Sequence, residues 1–429
     1  MADARGRGRD VFIVCNNVEE LGGVQQWAHG LARLMAGRGH RVTLVGIRRA
    51  PVAHDFGSPY GGTRPYRVAH LHETWTLPAL PWRPRTLRAR AGVRARLRDG
   101  RRTAAVQRGA ERLSELFAGA RPGGVVIVAQ VWAMEWVSLA RTRGLRVVGM
   151  CHESYQASRR SSRHARVKEL YAGVDRMLAL TAEDADAWAR DGMSNADHMP
   201  NALHVLPALD SGSVPAEREP VVACVGRLAH EKGVDLAIEA WAEVAERRPE
   251  WRLRLYGTGP REDGLRAQAA RLGVAGSVEF AGVTADVPGA LRRASVFALP
   301  SRQEGLPMAL LEAMAAGLPA VAFDCAPGVR ELVDDGRNGL LVRAGDTAAF
   351  AAELDRLIGD PALRGRLGAA APDAVRRFDP EAVLDRWEWL FGLLHRGLPP
   401  LTVVPPPVPR GAGAPALGMD PVREDRLDL

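Results

Sequence analysis

The sequence predicts an α/β protein of two similar domains, each a parallel sheet covered by helices. Three observations carry this expectation. From Asp10 onward, short apolar runs alternate with amphipathic helical ones, the pattern of parallel βαβ units. Around 207–220 the pattern dissolves into LPALDSGSVPAEREP, and then it restarts. The chain, at 429 residues, is long enough for two separate cores, and its 46% hydrophobic and 25% charged fractions are those of a globular protein.

The elements follow in order. VFIVCN reads as a strand, and Gly23 to Met35 as a helix with Val24, Trp27, Leu31 and Leu34 at helical spacing. RVTLVGI is the next strand. The stretch Pro51 to Gly100 is less regular and reads as an insertion or loop region. Val106, Ala110, Leu113 and Phe117 then recur as the stripe of a packed helix. VVIVAQ, RVVGMC and RMLALT are further strands, each followed by a helical pattern. After the linker come VVACVG, LRLYG, SVEFAG, VFALP, AVAFD and GLLV, with helices between. EAVLDRWEWLFGLLHR is a final amphipathic helix carrying Leu384, Trp387, Leu390, Phe391 and Leu394 on one side. The expected boundaries are a first domain at 1–205, a linker at 206–219, a second domain at 220–379, and a helix at 380–396 packing back on the first domain. The proline-rich tail at 397–429 is expected to be extended or disordered.

Composition narrows the function classes. MADARGRGRD has no apolar signal region, and the longest apolar stretch, Leu306 to Phe323, is interrupted by Glu312 and by Gly317-Leu318-Pro319. A cytoplasmic protein is expected. The four cysteines, Cys15, Cys151, Cys224 and Cys325, lie in or at the ends of apolar runs without a CxxC pair, so neither a disulfide framework nor a zinc site is expected. The net charge is +8. Nine arginines against one acid fall between Arg83 and Arg102. This cluster suits a solvated helix, a peripheral contact with an anionic inner membrane face, or an anionic acceptor. Aromatic residues do not interleave with it, which argues against nucleic acid.

The chemistry concentrates in SRQEGLPMALLEAMAAG, residues 301–317. Glu304 and Glu312 stand seven residues apart in an otherwise apolar run, and ionised carboxylates are seldom buried without partners. Glu304 falls on a loop leaving a strand, and Glu312 about two turns into the helix that follows. In an open α/β sheet such loops line the ligand crevice. A surface salt bridge and an arginine-capped glutamate are the plainer alternative. Lysine usage points the same way, because arginine supplies all but two of the 58 basic residues. Lys232 follows the strand VVACVG and Arg227, at the opening of a helix, where a compact ammonium and free N–H groups favour an anion. Lys168, in HARVKEL, has no such setting. Gly257-Thr-Gly259-Pro-Arg-Glu262 nearly matches a dinucleotide fingerprint, but Glu262 replaces the third glycine and would bring negative charge towards a pyrophosphate. His152 ends a strand, where a structural histidine and a functional one are both open readings.

Taken in order, VGRLAHEKGVDLAIEA, LYGTGPRE, VEFAGV, LPSRQEGLPMALLEAMAAGLPAVA and GVRELVDDGRNGLLV resemble glycosyltransferase family 4. These are retaining enzymes of the GT-B architecture, in which two Rossmann-like domains face each other across a cleft. The resemblance runs from about Val11 to Phe391. It implies that Arg227 and Lys232 hold the diphosphate of a nucleotide-sugar donor of UDP- or GDP-hexose type, and that Glu312 accepts from the ribose hydroxyls. Glu304 would contact the donor sugar, with the backbone at Gly305 and Leu306 close by. Gly22 and Gly23, in ELGGVQQW, match the glycine-rich loop that lets backbone approach the phosphates. Gly257 falls on the nucleotide side, and His152, in MCHESY, matches a histidine placed near the donor sugar. The acceptor would present a hydroxyl, with lipid-linked and anionic acceptors as candidates. No cofactor or metal is implied. One departure is Asn201-Ala202-Leu203-His204 where the family often has Asn-Gly-Val-Asp; it bears on the hinge more than on the chemistry. A catalytically silent nucleotide- or partner-binding protein of the same architecture is the alternative.

Overall fold

The computed structural model describes residues 8–56, 64–73, 93–203, 218–284 and 286–396, with backbone alone at 93–99. The first lobe is a seven-stranded sheet of β1 (Asp10–Cys15), β2 (Arg41–Arg48), β3 (Arg67–His72), β4 (Val125–Val128), β5 (Arg146–Met150), β6 (Arg176–Ala179) and β7 (Ala196–His198). Their order across the sheet is β3-β2-β1-β4-β5-β6-β7. The second lobe has six strands: β8 (Val221–Val225), β9 (Arg252–Tyr256), β10 (Val278–Gly282), β11 (Val296–Leu299), β12 (Ala320–Asp324) and β13 (Leu340–Arg343), in the order β10-β9-β8-β11-β12-β13. All pairings are parallel. Helices on both faces explain the unbroken apolar runs: every residue of β1, DVFIVC, is buried.

In each sheet the chain winds outward from a central strand and then crosses back to the other side. The switch points lie between β1 and β4 and between β8 and β11. Ligands of open α/β sheets bind in the crevice beyond the carboxyl ends of strands at such points. Two strands depart from the sequence reading. β3 lies within the stretch read as irregular, and β7 is three residues long. Both are edge strands bonded on one side only, and in β3 only Leu71 is buried, so neither needs a long apolar run.

The helix Pro380–Arg396 leaves the second lobe and lies against the helix Gly23–Gly37 of the first. Leu384, Trp387, Leu390, Phe391 and Leu394 are buried in a core cluster that runs through both lobes. Arg38 pairs with Glu381 and Asp385 at 2.5 and 2.7 Å at its rim, and Leu203 N–H donates to the Phe378 carbonyl. Of the segment read as a linker, Arg218 and Glu219 are anchored in the second lobe. Arg218 donates to the Ala294 and Ala316 carbonyls, and Glu219 pairs with Arg254. The rest of that segment, the tail at 397–429 and most of the arginine cluster lie outside the described residues. At its described end, Arg102 pairs with Glu135 inside the first lobe. The four cysteines are free thiols. Among the described residues, no helix is long and apolar enough to cross a membrane.

Candidate functional site

The residues singled out from the sequence sit just beyond the carboxyl ends of the central strands. From the second lobe, β8 leads into Gly226 and Arg227, then into a single turn of 3-10 helix, His230–Lys232. β11 leads into Ser301 and Glu304. The two loops are stitched together. Arg302 makes a two-pronged ion pair with Asp235, both contacts at 2.7 Å, and its backbone N–H donates to the Glu231 carbonyl.

That stitching brings Lys232 onto Glu304, 72 residues away in the chain. The ammonium donates to both carboxylate oxygens, at 2.8 and 3.0 Å, and the Ser301 hydroxyl donates to Oε1 at 2.7 Å. The Glu304 side chain is only 7% exposed. Burial works against charge on Lys232, but the adjoining carboxylate prevails and holds its pKa above the ordinary lysine value. Sequence reasoning assigned both residues without pairing them, and it passed over Ser301. A short polar side chain three residues before a buried glutamate was the available signal.

Arg227 is exposed and has no acidic partner among the described residues. Lys168, by contrast, is tied to Asp191: its ammonium donates to the Asp191 carbonyl at 2.6 Å. Gly257 has φ +131°, and a Cβ there would fall 2.1 Å from the Gly226 carbonyl oxygen. Its missing side chain is therefore demanded by packing against the Arg227 loop.

Glu312 lies in the helix Met308–Ala315. No hydrogen bond or ion pair to its carboxyl is found among the described residues, and burial alone pushes its pKa up to about 7. A carboxyl held above its unfolded value of 4.5 keeps a proton that the unfolded chain has released. Stability of the ligand-free protein therefore falls as pH rises from about 4.5 through about 7. In thermal unfolding, Glu312→Gln should melt above the wild type at pH 8 and close to it at pH 5. Equal gaps at the two pH values would contradict this.

From the first lobe, the loop after β1 ends at Gly22, which caps the helix Gly23–Gly37. This helix has no acid in its first turn, so its N-terminus keeps its positive end uncompensated. The buried Asn17 organises the loop by accepting from Glu20 N–H at 3.1 Å and from the Gln25 amide at 3.2 Å. Gly23 is exposed, with open space where its side chain would be.

His152 follows β5. Its ring packs edge-on to Trp27, centroids 4.5 Å apart, and its Nε2 is buried with no hydrogen-bond partner among the described residues. Burial lowers its pKa to about 4, so the imidazole is neutral near pH 7. The lobes touch here. A Cβ on Gly305 would fall 2.2 Å from the His152 carbonyl oxygen. Leu306 is buried beside Gly305. The interface thus brings together a neutral histidine and a lysine–glutamate pair, and the helix that follows the Glu304 loop carries a protonatable carboxyl about one turn in. Such a set can bind polar hydroxyls and meet anionic charge. No group of three His, Cys, Asp or Glu side chains able to hold a metal occurs among the described residues.

Comparison with known proteins bears on the family and the fold. Residues 219–360 match the family model described as Glycosyl transferases group 1. An uncharacterized glycosyltransferase of Haemophilus influenzae is 30% identical over 245 residues, covering 56% of this chain and 68% of that protein. An exopolysaccharide phosphotransferase of Streptomyces coelicolor is 35% identical over 221 residues, which is 51% of this chain but only 23% of that longer protein. In fold, the chain is similar to HepE of Anabaena, with a TM-score of 0.68, 19% identity, and coverage of 90% of this chain and 99% of that one. The two parallel-sheet lobes form the GT-B architecture, and the chain belongs to the glycosyl transferases group 1 family.

Proposed function

We propose that this glycosyltransferase moves a hexose-type sugar from a UDP- or GDP-linked donor to a hydroxyl acceptor with retention of configuration, as in family 4. The observation that carries this reading is the Lys232–Glu304 pair, with the exposed Arg227 on the adjoining loop without an acidic partner among the described residues. The HepE structure similar in fold contains UDP and glucose, which supports a uridine donor.

As the bond from the anomeric carbon to the diphosphate breaks, negative charge grows on the departing oxygen. Arg227, Lys232 and the N-terminal amides of the helices at Gly23 and Met308 are positioned to stabilise it, with no metal ion required for that task. Glu304 already accepts three hydrogen bonds, so its remaining lone pairs suit sugar hydroxyls better than nucleophilic attack. The free Nε2 of His152 offers one more contact to the sugar. Glu312 accepts from the ribose hydroxyls, which would relieve its lack of partners. Glu304 thus positions the sugar, and no residue is assigned a covalent role.

The test is a thermal-shift panel of UDP, GDP, ADP and dTDP, followed by donor turnover with the matching sugar nucleotides. A ligand at 100 times its Kd stabilises by about 2.7 kcal/mol through mass action. UDP or GDP is expected to raise Tm, and its hexose conjugate to be hydrolysed slowly or transferred. No shift at millimolar concentration would sink the reading, and tight binding with no turnover would leave a silent nucleotide-binding protein.

A further inference from the structure

His29 lies under two turns into the helix Gly23–Gly37 and is 4% exposed. Its ring lies nearly flat on Phe56, with centroids 4.4 Å apart and planes 11° apart. Nε2 stands 2.7 Å from the Val18 carbonyl oxygen, and Nδ1 stands 2.7 Å from the Tyr66 hydroxyl. Burial lowers the pKa of the ring to about 4, so it is neutral near pH 7. A carbonyl only accepts, so Nε2 carries the proton and donates to Val18. Nδ1 then holds the lone pair, and the Tyr66 hydroxyl donates to it. Tyr66 is itself buried, immediately before β3. The chain Tyr66–His29–Val18 therefore joins three segments: the start of β3, the helix, and the loop after β1.

Apolar packing against Phe56 would accept leucine at this position. A histidine there costs the desolvation of two polar nitrogens, which is offset because both are paired. What it holds is the loop that ends at Gly22. The neighbours of Val18 in that loop are fixed from other sides. Asn17 accepts from the Glu20 N–H and the Gln25 amide. The Glu19 carbonyl accepts from the His54 N–H at 2.7 Å, and its carboxylate accepts from the Ala50 N–H at 2.9 Å. The Gly22 carbonyl accepts from the Gln26 N–H at 2.9 Å, which starts the helix. A loop tied at residues 17, 18, 19 and 22 has one path, and that path sets where the first amides of the helix point. Such donors stabilise developing charge only if they are in place before the reaction.

Resting on the sugar-transfer reading above, we propose that His29 is a positioning residue for the transfer: it fixes the loop from Val18 to Gly23 so that the first amides of the helix stand ready for the departing diphosphate oxygen. His29 acts through the Val18 carbonyl and touches neither donor nor acceptor. Arg227 and Lys232 hold the diphosphate from the second lobe, so the effect of His29 falls on kcat and leaves nucleoside diphosphate affinity nearly unchanged.

The test uses the full chain and three variants, each assayed well below its melting temperature. The probes are UDP-glucose and GDP-mannose for donor hydrolysis, calorimetry with UDP and GDP, and hydrogen–deuterium exchange of the peptide spanning residues 16–23. His29→Leu keeps apolar bulk on Phe56 but has neither nitrogen. It should lower kcat about tenfold, leave nucleoside diphosphate affinity within twofold, and speed exchange in the loop peptide. His29→Gln, whose amide both donates and accepts, should recover kcat to within about threefold of wild type. Tyr66→Phe removes only the outer hydroxyl; it should lower kcat about threefold, and it decides the matter if the leucine variant does not fold. Wild-type kcat in His29→Leu and Tyr66→Phe overturns the proposal. So does an equal loss of nucleoside diphosphate affinity, which would show general damage to the fold, or a glutamine variant no better than leucine, which would leave only ring packing. A wild-type protein that turns over no sugar nucleotide sinks the transferase reading itself, an outcome distinct from active enzyme whose kcat ignores His29.

Discussion

Lys232→Ala is expected to lower kcat/KM for sugar transfer by about 100- to 1000-fold. The ammonium does two jobs in the proposed mechanism: it meets the diphosphate charge, and it neutralises Glu304. Its removal leaves a carboxylate that is 7% exposed with the Ser301 hydroxyl as its one remaining side-chain donor among the described residues. Truncating one member of a buried, hydrogen-bonded charge pair costs roughly 2–5 kcal/mol. At about 1.4 kcal/mol per factor of ten, even the low end of that range is more than tenfold. The loss should appear in nucleoside diphosphate affinity by calorimetry as well as in turnover. Lys232→Arg should rescue it only in part, because a planar fork cannot replace an ammonium that donates to both oxygens from one point. Wild-type kcat/KM and affinity in Lys232→Ala would refute the site.

Gly305→Ala is expected to reduce kcat about 100-fold with little change in nucleoside diphosphate affinity. The added Cβ would lie 2.2 Å from the His152 carbonyl oxygen and 3.2 Å from a Leu180 methyl group, both in the opposite lobe. The closer neighbour is backbone and cannot rotate aside, so relief requires the lobes to move apart by about 1 Å. A misplacement of that size between reacting groups costs on the order of 100-fold. The diphosphate contacts proposed for Arg227 and Lys232 lie within the second lobe and are spared. Single-turnover kinetics beside calorimetry separates the two quantities. A kcat within threefold of wild type would show that the lobe contact at Gly305 does not govern the chemistry.

The legibility of the sequence varied with how many neighbours each element must satisfy. β1 and β11 sit in sheet centres, buried on both faces, and their apolar runs are unmistakable. β3 and β7 lie at edges, pair on one side and keep polar residues, so RVAHLH and ADH carry little signal. Glu304, Glu312 and Lys232 stood out because each contradicts its surroundings: carboxylates in an apolar run, and a lysine in an arginine-rich chain. Ser301 contradicts nothing around it. Gly257 suggested a phosphate loop, whereas its packing against Gly226 already accounts for the glycine.

Chain order and residue type alone determined two parallel α/β units, their central strands, and the charged residues at the strand ends, since these depend on local period and composition. Tertiary structure decided which of those residues meet. It joined Lys232 to Glu304 across 72 positions, set Gly305 on the His152 carbonyl of the other lobe, and left the half-buried Glu312 carboxyl without a partner among the described residues. Such encounters arise from how two sheets and a returning helix pack. Packing depends on distances between segments far apart in the chain, and local sequence pattern does not encode those distances.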